Sequence, residues 1–63
     1  MDIGTLAGKI WKTLDKKGAM TVSALVKELN AKNNDVYMAL GWLLREDKLE
    51  SAKVANSVKY SLK

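Results

Sequence analysis

Apolar residues in the first seventeen positions fall at Ile3, Leu6, Ala7, Ile10, Trp11 and Leu14. These steps of three and four place them on one stripe of a 3.6-residue period, so a helix is predicted over about 2–17. Asp2 suits its N-terminal end, Lys16 and Lys17 its last turn, and Gly18 its stop. Lys9, Lys12 and Lys16 take the opposite face, read either as a solvated surface or as a strip for phosphates. Val22, Leu25, Val26 and Leu29 repeat the stepping, and Thr21 is placed to cap a shorter helix over about 22–30. The triplet Ala19-Met20-Thr21 between the two is too short for more than a β-bridge. The polar run Asn30 to Asn34 interrupts the chain, and Asn33 or Asn34 is expected to cap a third helix reaching Glu46. Its buried stripe reads Val36, Ala39, Leu40, Leu43 and Leu44. The stripes together predict a core of Ile10, Leu14, Leu25, Leu29, Val36, Leu40 and Leu43.

Beyond Asp47 the period changes. Val58, Tyr60 and Leu62 alternate with Lys59, Ser61 and Lys63, as in a half-buried strand. Lys48 to Val54 reads as its hairpin partner across Ala55-Asn56-Ser57. Leu49 and Val54 would lie on opposite faces of that strand, which implies a bulge or a strand leaving the core near its tip. Helix, bridge, helix, turn, helix and hairpin make an α+β architecture, the winged helix-turn-helix, as a single domain over 1–63.

The block from Tyr37 to Glu50, "YMALGWLLREDKLE", resembles a family of small, mostly bacterial winged helix-turn-helix proteins known as a domain of unknown function. The shared signature falls on Ala39, Leu40, Gly41, Trp42, Leu43, Arg45, Glu46, Lys48 and Leu49. Asp47 stands where the family often has Gly, so the tight turn would hold an Asp in a left-handed conformation. The resemblance implies a winged-helix fold, and DNA binding through that fold.

Composition narrows the chemistry. Sixty-three residues without Cys or His can be held by neither disulfides nor a zinc site, leaving dense packing or a second chain. The net charge of +4 favours anionic partners. No apolar run approaches the ~18 residues of a membrane span, and Met1 to Lys17 lacks the apolar core of a signal peptide, so a cytoplasmic protein is expected. Glu46 and Asp47 diverge on a helix, and no other carboxylate pair suggests acid–base work. Neither catalysis, a cofactor, a metal nor a small-molecule substrate is expected.

Two functions remain. In the first, the third helix enters the major groove of double-stranded DNA and the wing holds phosphates, as in a transcriptional regulator. The helix offers Asn33, Asn34 and a late Arg45 as hydrogen-bonding readers, with Tyr37 and Met38 able to touch a thymine methyl. Asp35 would repel phosphate there, unless it serves the helix dipole. Lys48, Lys53, Lys59 and Lys63 lie on or beside the hairpin against Glu50, and Lys53 and Lys59 are the expected phosphate contacts. In the second, Met38, Gly41 and Trp42 form an outward apolar patch for a protein partner, above all a second copy of the chain, with the first helix as the next site. Trp42 folding back over the wing or the first helix would weaken that patch.

Overall fold

Four lines of apolar side chains meet in one place. Leu6, Ala7, Ile10 and Leu14 from the first helix face Leu25 from the second, Val36, Ala39, Leu40 and Leu43 from the third, and Leu49 from the first wing strand. The computed structural model describes residues 2–63. Its order is α1 (Ile3–Lys17), β1 (Met20–Thr21), α2 (Val22–Leu29), α3 (Asn33–Arg45), β2 (Leu49–Val54) and β3 (Ser57–Leu62). The three strands form an antiparallel sheet in the order β1-β3-β2. The fold is the winged helix-turn-helix expected from the pattern. The segment at Met20 is one residue pair longer than a bridge, joining Met20 to Tyr60 and Thr21 to Lys59.

Local chemistry sets the boundaries. The Thr5 N–H donates to Asp2 Oδ1 at 2.8 Å and its hydroxyl donates to Oδ2 at 2.7 Å, so Asp2 caps α1. These bonds, the backbone N–H first, hold the Asp2 carboxyl below the usual carboxylate range. Gly18, at φ 83°, ends the helix with its N–H on the Leu14 carbonyl at 2.8 Å. Thr21 caps α2, accepting from the Ala24 N–H at 3.2 Å, and Asn30 closes it in a left-handed conformation.

The start of α3 differs from expectation. The Val36 N–H donates to the Lys32 carbonyl at 3.0 Å, so Lys32 occupies the cap position with no side-chain hydrogen bond. Asn33 and Asn34 belong to the first turn instead. At the other end the Asp47 N–H donates to the Leu44 carbonyl and the Lys48 N–H to the Leu43 carbonyl, both at 3.0 Å. This is a Schellman closure with Asp47 at φ 60°, the left-handed Asp anticipated from the sequence.

The core is narrower than the stripes suggested at four places. Leu29 is only partly buried, at the margin. Trp11 and Leu44 are 40% and 38% exposed, because each lies at the edge of its stripe, beyond the reach of the neighbouring helix. Val58 is exposed because the hairpin runs past the helices; β2 has only Leu49 buried. The pairing from Leu49↔Leu62 to Val54↔Ser57 is unbroken, so the irregular strand leaves the core and contains no bulge.

Candidate nucleic-acid interface

The first half of α3 and the wing enclose an open cleft lined by Thr21, Val22, Ser23, Tyr37, Ser57, Val58 and Tyr60. Its parts come from four elements. Thr21 and Ser23 stand at the start of α2, where the cap turns the chain. Tyr37 projects from α3, 57% exposed. Tyr60 is held in the sheet between Met20 on β1 and Ser51 on β2. Five of the seven lining side chains carry a hydroxyl, and none carries a carboxylate. Such a surface can donate hydrogen bonds to an anion without a large desolvation cost. Thr21 Oγ1 accepts from the backbone, which leaves its proton free to donate elsewhere.

The strand register separates two expected partners. Cross-strand neighbours share a face, so Lys53 lies with Val58, on the face that also carries Tyr60 and Leu62. Lys59 pairs with Ala52 and Thr21, and lies on the other face. Lys53 thus shares the wing face of Val58 and Tyr60, and Lys59 the opposite face with Thr21 and Ser57; the cleft draws on both faces. A third lysine of the wing is engaged: Lys63 is paired with Asp47, and that hydrogen bond, then the carboxylate's charge, raises the Lys63 pKa above its ordinary value of 10.5.

On α3, Asn33, Asn34, Tyr37 and Met38 are exposed together at the N-terminal half. Arg45, also exposed, closes the helix twelve residues beyond Asn33, about 18 Å along the axis. It cannot share one base-edge contact with the asparagines. Gly41 faces open space: a methyl group built there would meet nothing within 4 Å. Trp42 is 47% exposed, and the outer edge of its ring leans on α1, where a methyl on Gly4 would lie 3.6 Å from Cη2. The expected patch of Met38, Gly41 and Trp42 is thus exposed, with its largest member partly folded back over the first helix.

Thr21, Ser23, Ser57 and Tyr60 were absent from the sequence-derived site. That reading sought cations and amides, whereas the cleft is made of hydroxyls. Thr21 and Ser23 flanking the start of α2 were the signal available. Among the described residues no group of His, Cys, Asp or Glu comes together to hold a metal ion, and no helix is long and apolar enough to cross a membrane.

A family model described as a winged helix-turn-helix domain, DUF2582, matches residues 1–61. The chain belongs to this family. It is 39% identical over 49 residues to the uncharacterized protein MJ1608 of Methanocaldococcus jannaschii, a match covering 75% of this chain and 70% of that one. Two solved structures share the fold. The transcriptional regulator HlyU of Vibrio vulnificus superposes with a TM-score of 0.83 at 26% identity, over 90% of this chain and 58% of its own. The Zalpha domain of Carassius auratus PKZ, solved in complex with Z-DNA, superposes with a TM-score of 0.85 at 20% identity over 97% of both chains.

Proposed function

We propose that this domain binds double-stranded DNA, mainly through phosphates, as a non-catalytic module of transcriptional regulation. The observation that carries the reading is the hydroxyl-lined cleft between α3 and the wing, with Lys53 on the hairpin face that carries Val58 and Tyr60. Hydroxyls and a lysine hold a phosphate backbone without reading sequence. The exposed start of α3 offers Asn33, Asn34, Tyr37 and Met38 to base edges, a set with few bidentate partners, so recognition is sequence-tolerant. Lys59 and Arg45 stand outside the cleft and act as secondary, long-range attraction. The Zalpha domain supports the reading because a chain of the same extent was solved bound to nucleic acid. HlyU, named a transcriptional regulator, supports the regulatory role.

Fluorescence anisotropy with labelled duplexes of unrelated sequence, at low and moderate salt, tests this. Binding should weaken steeply with salt and vary little between sequences. Lys53→Gln should lower the slope of log K against log salt by about one unit, and Lys59→Gln by less. Tight, sequence-selective binding untouched by Lys53→Gln would contradict the reading.

The second reading, a protein-interaction module, rests on exposed Met38 and on Gly41 in open space. A two-fold contact there, with Trp42 near the partner's Gly41, would bury the reading helix. The lean of Trp42 toward Gly4 disfavours it.

A further inference from the structure

The cleft between α3 and the wing offers more than a phosphate backbone uses. Its lining holds no carboxylate and no cation either, and Lys53 and Lys59 are not part of it. Two of its five hydroxyls are the ends of aromatic rings. Tyr60 is partly buried and packed against the core, which makes it a fixed wall. Tyr37 is 57% exposed, so its ring stands open to a ligand. Val22 and Val58 add apolar surface that offers a phosphate oxygen nothing. The exposed Ser23 and Ser57, with the half-buried Thr21, place small donors and acceptors beside the rings. The cleft's volume of about 470 Å³ falls within the ~300–1,000 Å³ of sites for small organic ligands. A neutral, flat, hydrogen-bonding ring fits that chemistry.

We propose that the cleft seats an unpaired nucleobase of the bound DNA, its face on the Tyr37 ring and its edge on the hydroxyls. DNA binding as proposed above is presupposed, with Lys53 and the outer hydroxyls on phosphates beside that base. A base within a duplex offers neither surface, because its faces are stacked and its pairing edge is occupied. An unpaired base exposes both. Stacking on an aromatic side chain, with hydrogen bonds to the pairing edge, is how proteins hold one. Every base has such a face, so the preference is for an unpaired position and not for a sequence. That agrees with the few bidentate partners at the start of α3.

Fluorescence anisotropy of the full chain with two labelled duplexes, identical but for one bulged adenine, is the test. The bulged duplex should bind about tenfold tighter, because one stacked base adds to contacts that both duplexes share. The two salt slopes should be equal, since a stacked base releases no counterions. Tyr37→Ala should bring the ratio of affinities to about one, and Tyr37→Phe should restore it, because the ring carries the stacking. Thermal melts check that Tyr37→Ala stays folded, as expected of a side chain outside the core. In NMR spectra the Tyr37 ring protons should move upfield with the bulged duplex more than with the paired one. Equal binding of the two duplexes by the wild type would overturn the assignment and leave DNA binding standing. So would a preference that survives Tyr37→Ala, or deoxyadenosine monophosphate binding as tightly as the bulged duplex. Binding to neither duplex would overturn DNA binding itself, and the assignment with it.

Discussion

Leu40 is 1% exposed and stands at the meeting point of α3 with the other helices. Truncation to Ala should cost roughly 2–5 kcal/mol, enough in so small a domain to approach global unfolding. Urea denaturation of Leu40→Ala measures it, and an unchanged midpoint would refute the packing described. Ala55 presents the opposite case. It sits at φ 56° in the two-residue connection between Val54 and Ser57, a conformation that disfavours L side chains. Ala55→Gly should therefore stabilise the protein by about 1 kcal/mol, seen as a rise in Tm of several degrees. Six of the seven expected core residues are buried because burial follows period, whereas Leu29 stays at the margin and Leu6, Ala7, Ala39 and Leu49 join the core. Sequence reading assigned the turn to Ala55-Asn56-Ser57 without seeing that Ala55, not Asn56, takes the left-handed position; no residue there demands it.

Elements are held together by their ends. The Schellman closure of α3 turns the chain into β2, and the Asp47–Lys63 pair ties that corner to the residue after β3. The Lys63 pKa is raised in the folded protein, so the stability this pair contributes is full below pH 10.5 and lost as pH rises through the higher folded value. The Asp2 carboxyl is lowered, so its capping contribution is full above pH 3.8 and lost as pH falls through the lower folded value. Thermal melts of the wild type and Asp47→Asn between pH 9 and about pH 12 should show a steeper alkaline loss for the wild type, because Asn keeps the left-handed turn but not the charge. Parallel curves would mean the pair contributes nothing. The order of the elements was legible in the sequence, with helix ends within a residue or two, though β1 is a two-residue strand where only a bridge was expected. The register was not, since alternation alone does not say which strand position faces which; that is why Lys53 and Lys59 looked like one site and lie on two faces.

At the scale of the whole molecule, the work proposed for it, DNA binding, falls to the cleft between α3 and the wing. Exposed residues on α3 were identifiable from helical stepping, but the cleft itself was not, because it is assembled from residues between Thr21 and Tyr60 that only the fold brings together. The direct test of the central claim is a heteronuclear NMR titration of the isotope-labelled protein with duplex DNA at low salt. Amide shifts should concentrate at Thr21, Ser23, Asn34, Tyr37, Lys53 and Ser57, and fade as salt is raised, with Gly4, Gly8 and Lys12 unmoved. Shifts centred on the exposed face of α1, or no shifts at millimolar DNA, would contradict it.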